Sequence, residues 1–398
     1  MFDILIIGSG PSSLFTLLYL IKTYPNLKLG IVTDKFQPFH CTYGVFLKQI
    51  QNSWIYQQLD FNSLFINIIP TTVICPFDNQ NHIIDNDLNY GIIDNNYLFN
   101  YFKEVISTNK IPIFESKANQ IIQQNKYYTV FTNSINLDTK FVIEAIGNMD
   151  PIGLVRNTID EYKQYFYGYK IKLENHNINK CTLIDWSKFS NKINSFGYIL
   201  PIDKDTLLVE ETILSTRDKI NYNDLLENLE ERIDTLFSNY TIIEKEINNI
   251  PLNKPIPENN SLSLGIGQAG NMINNLSGYT LGYNIYHIPE LCNSIITNNY
   301  NLKTIYDNFW CNKRLIINKI NYIGLKLMED MTQEEISEFH YYYFKYIAPS
   351  YNFDIMFLNC DNDFNWTKFI SSFINYRHFP PKFYWKISRA IIKSYYNY

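Results

Sequence analysis

The fold is decided by the first 34 residues, which read FDILII (Phe2 to Ile7), GSGPSS (Gly8 to Ser13), LFTLLYLIKTY (Leu14 to Tyr24) and LKLGIVT (Leu27 to Thr33), ending at Asp34. FDILII is a short, nearly continuous apolar run, which suits a central parallel strand buried on both faces. A glycine turn and an apolar helix ending before Pro25 follow, then a second strand closed by an acid. That order is the dinucleotide-binding βαβ unit. Gly8 permits the tight turn, and Gly10 lets backbone N–H groups approach a pyrophosphate at the positive helix N-terminus. Asp34 is placed to accept hydrogen bonds from the ribose hydroxyls of an adenosine. The third glycine of the motif, where helix and strand pack closely, is replaced by the small Ser13.

Composition narrows the classes further. A chain of 398 residues with 46% apolar residues can bury a large core, which excludes wholesale disorder. Lys and Arg number 34 against 39 Asp and Glu, and a net charge of −5 supplies no field for holding a phosphate backbone, so no nucleic-acid partner is expected. The excess of Asn, Ile, Lys and Tyr reads as nucleotide bias in an AT-rich genome. Cys41, Cys75, Cys181, Cys292, Cys311 and Cys360 form no CxxC pair, so neither a metal site nor a disulfide framework is expected, and a reducing compartment fits. No signal peptide is visible and no window is long and apolar enough to span a bilayer. The expected location is intracellular, with peripheral attachment to a membrane surface left open.

Two later segments return the chain to the nucleotide fold. FVIEAIG (Phe141 to Gly147) and LSLGIGQAG (Leu262 to Gly270) are strands running into glycines, the second followed by an apolar helix. Each reads equally as a structural turn when taken alone. A dinucleotide unit at the start of a chain that later returns to the same domain favours FAD over NAD. Between them, YFYGYKIKL, CTLIDWS, FGYILPI, TLLVEETIL and TIIEKEI are short strands of an antiparallel sheet, with a hairpin at Asp203-Lys204-Asp205 and one helix over Tyr222 to Leu236. The expected organisation is α/β: a Rossmann-like FAD-binding fold over 1–160, an inserted antiparallel β substrate domain over 161–255, a return to the first domain over 256–300, and a helical C-terminal region over 301–398. Pro349 and Pro380-Pro381 are expected breaks in that region.

Glu210 and Glu211 carry the most informative chemistry. Period-2 alternation puts Leu208, Glu210 and Thr212 on one face of their strand, and Val209, Glu211 and Ile213 on the other. Only one of the two acids therefore faces any given pocket. An acid facing an apolar cavity has its pKa raised and can act as a general acid near neutral pH. A pair of solvated acids on an edge strand is the competing reading, and spacing alone does not remove it.

With these segments in order, the chain resembles the FAD-dependent lycopene cyclases of carotenoid biosynthesis. The likeness runs through GSGPSSL, Tyr43-Gly44-Val45-Phe46, Tyr90-Gly91, Ala145-Ile146-Gly147, QYFYGYKI (Gln164 to Ile171), Ile184-Asp185-Trp186, FGYILPI, Val209-Glu210-Glu211-Thr212, Ile250-Pro251-Leu252 and GIGQAGNMINNLSGY ending at Tyr279. The acidic element after Tyr198-x-x-Pro201 is its most specific part. The resemblance implies a proton-initiated cyclisation of lycopene without net redox change, with Glu210 in the position of the catalytic acid and Glu211 as the acid beside it. It implies bound FAD, reduced by NAD(P)H, held by Gly8, Ser9, Gly10, Pro11, Ser12 and Asp34. Gly147, Gly267, Ala269, Gly270, Asn271 and Gly278 would lie along the rest of the flavin.

Gly267-Gln268 also separates the chain from flavin hydroxylases, which carry Gly-Asp there. The departures from the family pattern are Ser13, Ile146, Asn95, and Asn274-Asn275. The six histidines show no ligand spacing. FHYYYFKYI (Phe339 to Ile347) reads as core packing or as a lining for the substrate, and ISRAIIKSYYNY at the C-terminus as a helix lying on a membrane surface. The competing functions are an FAD-dependent oxidoreductase or monooxygenase acting on a prenyl lipid, and a flavin- or carotenoid-binding protein that has lost catalysis. No obligate protein partner is inferred.

Overall fold

The computed structural model of the chain describes residues 1–157, 161–174, 176–190, 192–348 and 377–396. Phe2–Ile7 and Leu29–Thr33 pair in parallel, joined by the helix Pro11–Thr23. Asn136–Glu144 lies parallel on the other side of Phe2–Ile7, and Ile113–Glu115 extends the sheet beyond Leu29–Thr33. Tyr128–Thr132 and Ala118–Gln123 add an antiparallel flank, and the short strand Leu264–Gly265 returns beside Asn136–Glu144. The first strand is buried on both faces because its alternate residues serve two cores. Ile4 and Ile6 pack under Pro11–Thr23, Asn95–Thr108 and Leu281–Thr297, while Leu5 and Ile7 join Val130, Leu137 and Val142 opposite. Each such side chain contributes about 1.5–3 kcal/mol relative to exposure.

A second sheet of eight strands runs in the order Thr241–Pro251, Lys163–Lys172, Thr206–Thr216, Phe196–Asp203, Cys181–Asp185, Phe65–Phe77, Gln80–Ile93 and Gly44–Phe46. The hairpin expected at Asp203-Lys204-Asp205 and the helix Tyr222–Leu236 are both present. Three strands from the first 160 residues belong to this second sheet, so it is not confined to 161–255. Cys181–Asp185 runs parallel to Phe65–Phe77, a pairing between segments about a hundred residues apart that no local pattern specifies.

One face of the second sheet is covered by Tyr222–Leu236, through Leu225, Leu229 and Ile233. The other is covered by C-terminal helices, including Asn312–Glu329, Gln333–Tyr342 and Pro381–Tyr396. Pro349 and Cys360 lie outside the described residues.

Candidate active site

A cleft of about 980 Å³ opens at the carboxyl ends of the parallel strands, where open α/β sheets bind their ligands. Gly8, Ser9, Gly10, Pro11, Ser12, Asp34, Gly147 and Gly267 all line it. Gly8 has φ of +107°, and a Cβ there would stand 2.4 Å from the Ala145 carbonyl oxygen, so only glycine fits. At Gly10 the space a Cβ would occupy is open. Gly10 also caps Pro11–Thr23 without any side-chain hydrogen bond. The first N–H groups of the helix are thus not capped by a side chain, beside backbone that a pyrophosphate can approach. Asp34 is exposed at the end of its strand, within the same cleft. These features fit a dinucleotide.

Ala269, Gly270, Asn271 and Gly278 do not line the cleft. Ala269 packs into the core with Ile7 and Ile146, and its carbonyl accepts a hydrogen bond from Arg156. Gly270 is pressed against Gly265, where a Cβ would lie 2.2 Å from the carbonyl oxygen. Asn271 is buried against a small polar pocket with Asn318 and Asn321, and Gly278 sits against Gln164. The turn holds the cleft wall from behind, through residues whose side chains or backbone point inward. Lys35, Asn119, Asn148 and Asn248 line the cleft without a sequence signal to mark them, and Gln268 joins them.

On the face of the second sheet covered by the C-terminal helices lies an apolar cavity walled by Leu183, Ile184, Phe196, Leu214, Tyr279, Met328, Phe339 and Phe344, among others. The tyrosine-rich segment contributes Phe339, Tyr343 and Phe344, so it is both core and lining. His340 is also in the wall. Its Nδ1 accepts a hydrogen bond from the Trp186 indole at 2.8 Å, and burial pushes its pKa down to about 3, so it is neutral.

The two adjacent acids face opposite ways, as alternation requires. Glu211 points toward Tyr222–Leu236 and is 1% exposed. It forms an ion pair with Arg232, which also reaches Asp185 at 2.7 Å, and it accepts a hydrogen bond from Ser195 at 2.5 Å. Gly197, directly across from Glu211, leaves the room that the guanidinium fills. Glu211 is thus tied into a buried network away from the apolar cavity. Burial overrides spacing as a guide to its role.

Glu210 occupies the other face, with Tyr198 and Gly168 as its cross-strand neighbours. It is half-buried. Burial, and then the nearby carboxylate of Glu246, push its pKa up to about 8, while Lys170 opposes them. Tyr90, Tyr279, Cys41 and Cys181 are all within its electrostatic reach. Glu210 is not itself among the wall residues, but Leu214 on the same strand face is, and the wall residue Tyr279 lies within its electrostatic reach. On the opposite side, Cys41 accepts a hydrogen bond from Asn248, which lines the cleft. Glu210 is thus linked electrostatically to Tyr279 in the cavity wall and to Cys41, the partner of the cleft residue Asn248.

The family model described as "Lycopene cyclase protein" matches residues 3–349. The chain belongs to the lycopene cyclase family. Among its relatives, a lycopene beta cyclase of Synechococcus elongatus is 24% identical over 74% of this chain and 72% of its own length. A capsanthin/capsorubin synthase of Citrus sinensis is also 24% identical, over 74% of this chain. The chain spans 60% of that relative's length. Among solved structures, a geranylgeranyl bacteriochlorophyll reductase-like protein of Thermoplasma acidophilum superposes with a TM-score of 0.67 at 13% identity, covering 98% of this chain and 99% of its own. A flavin-dependent brominase variant gives a TM-score of 0.65 at 14% identity over 95% and 100%. These likenesses establish a fold shared with flavin enzymes.

Three departures from the family pattern have local explanations. Ser13 is fully buried and donates to the Gly8 carbonyl at 2.6 Å, so the hydroxyl braces the turn that glycine elsewhere merely permits. Asn274 accepts from the N–H groups of Leu276 and Ser277 at 3.0 and 3.1 Å, which shapes the loop leading to Tyr279. Asn95 donates to the Cys41 carbonyl at 2.7 Å and so holds the segment beside Glu210.

Proposed function

We propose that the chain cyclises the linear ends of lycopene to ionone rings in carotenoid biosynthesis, with Glu210 as the proton donor. The observation that carries this reading is Glu210 on the same face of its strand as the cavity-lining Leu214, with its pKa pushed up to about 8 by burial and by Glu246. Glu210 delivers its proton to the terminal double bond. The resulting tertiary cation is attacked by a nearby double bond, forming the ring carbon–carbon bond. Loss of a proton from a carbon next to the new cationic centre ends the reaction, so product and substrate are isomers and no reductant is consumed overall. A protonated carboxyl near an apolar cavity is suited to this, because water that would capture the cation is excluded.

The residues at the cleft fit FAD: Gly8 to Ser12 at the pyrophosphate, Asp34 at the adenosine ribose, Gly147 and Gly267 along the flavin side. When bound and reduced by NAD(P)H, the flavin would supply an electron-rich ring beside the cationic centre. The substrate is a bilayer-soluble hydrocarbon, so the reading includes contact with a membrane surface. Among the described residues no helix is long and apolar enough to cross a membrane. The helix Pro381–Tyr396 exposes Trp385 and Ile392 at 72% and 57%, which suits an interfacial role.

Expression in a bacterium that accumulates lycopene, followed by chromatography of the pigments, tests the reading. Cyclic carotenes are expected from the native chain. Glu210→Gln is expected to leave lycopene unchanged, a loss of at least a hundredfold, while the purified variant keeps its flavin spectrum. Full cyclisation by Glu210→Gln would remove the assigned role. Unchanged lycopene with a folded, yellow native protein would instead favour a redox or binding function, and NAD(P)H consumed in proportion to product would select the former.

A further inference from the structure

The sequence places Glu211 beside Glu210, but folding places a different carboxylate there. Gly168 on the strand Lys163–Lys172 is paired with Glu210 on one side and with Glu246 on the other. All three lie in one cross-strand row, so both acids project from the same face across a residue with no side chain. A Cβ at Gly168 would meet Glu210 Cγ at 2.7 Å and Oε1 at 3.3 Å, so the Glu210 side chain leans into that gap. Glu246 is 6% exposed and fixed from its far side. The Thr42 N–H donates to Oε2 at 3.0 Å, the Thr42 hydroxyl to Oε1 at 2.5 Å, and Lys170 Nζ lies 3.2 Å from Oε1. Lys170 is shared with Glu244 at 2.7 Å.

We propose that Glu246 is the positioning carboxylate of this site, held by Thr42 and Lys170 so that its charge faces Glu210 across Gly168 and keeps the catalytic proton there. This rests on the reading of Glu210 as proton donor and deepens it. Two carboxylates facing across a glycine gap do not both ionise at low cost, so Glu210 keeps its proton while Glu246 carries the charge. Once Glu210 has protonated the double bond, the site holds two negative charges. The same repulsion makes Glu210 the better base for the proton released at ring closure. The proton thus leaves Glu210 and returns to it, which balances an isomerisation. Lys170 limits the repulsion. The other titratable groups facing Glu210 are Tyr198, Tyr90, Tyr279, Cys181 and Cys41, from five further segments, and burial holds each of them neutral.

The test is the titration of Glu210, read in two ways in the full-length, flavin-loaded protein. One is the alkaline limb of the cyclisation rate against pH. The other is the infrared band of the protonated carboxyl, assigned by its disappearance in Glu210→Gln, which needs no turnover. Glu246→Gln is expected to move both downward by about one pH unit, so that the rate at pH 8 falls about fivefold. Lys170→Met is expected to move both upward, and Glu246→Asp to restore most of the native position. Shifts of opposite sign are not what loosened packing produces. Unmoved titration in a folded Glu246→Gln protein, or a shift of the same sign in Lys170→Met, overturns the assignment. If Glu246→Gln fails to fold, Glu246→Asp and Lys170→Met still decide it. Absence of any cyclic carotene from the native chain would defeat the cyclase reading and leave the infrared titration to judge Glu246 by itself.

Discussion

Glu210 and Glu211 are neighbours in the chain with opposite surroundings, because a strand turns successive side chains to opposite faces. Glu211 meets a guanidinium and a hydroxyl, and Glu210 meets phenols, thiols and another acid. The raised pKa of Glu210 is also a statement about stability. Its folded value of about 8 lies above the ordinary 4.5, so the unfolded chain releases this proton first as pH rises. The native state therefore loses stability from about pH 4.5 up through pH 8. Glu210→Gln is expected to match the native protein in urea unfolding near pH 4.5. At pH 9 it is expected to exceed it by on the order of 3 kcal/mol, a figure discounted for the half-burial of the group. Equal stability of the two proteins at both pH values would contradict the raised value. Here the sequence showed two acids on two faces, but which face was the site depended on what packs against each.

The strands Lys163–Lys172, Phe196–Asp203 and Thr206–Thr216 were legible because their apolar alternation and hairpin signal are local. Their partners were not. Gly168 and Gly197 look like ordinary strand glycines until register sets the first beside Glu210 and the second beside Glu211 and the Arg232 side chain. Tyr222–Leu236 was recognisable from its periodicity, with Asn221 accepting from the Asn223 N–H at its start. That Arg232 faces inward on this helix follows only from its docking against Glu211 and Asp185. Arg232→Met would leave two buried carboxylates without their cation, at a cost of about 3–5 kcal/mol. Adding Glu211→Gln to that variant is expected to recover at least about 1 kcal/mol, because one stranded charge is removed. Urea midpoints of the single and double variants check this, and a double variant no more stable than Arg232→Met would contradict the pairing.

At the scale of the molecule, two sheets share the work: the parallel one opens a polar cleft, and the larger one backs an apolar cavity. A ligand seated at the glycine turn binds only the folded state, so FAD at a hundred times its dissociation constant is expected to stabilise the protein by about 2.7 kcal/mol. Gly10→Ala separates the seat from the scaffold. Its backbone has an ordinary φ of −71° and nothing occupies the space of the added methyl, so the ligand-free protein should melt as the native one does. The methyl would stand where the pyrophosphate approaches, and flavin affinity is expected to fall at least tenfold. Native affinity in that variant, measured by fluorescence titration, would move the dinucleotide elsewhere.

The sequence by itself determined the βαβ unit, the glycine turn, the antiparallel strands and the family, because each depends on spacing within a few dozen residues. Tertiary structure alone decided that Gly44–Phe46, Phe65–Phe77 and Gln80–Ile93 leave the first domain to complete the second sheet. It also turned Ala269 to Asn271 inward and brought Glu246, rather than Glu211, to Glu210. Those outcomes depend on pairing between segments far apart in the chain, where register and burial, not local propensity, select which side chains meet.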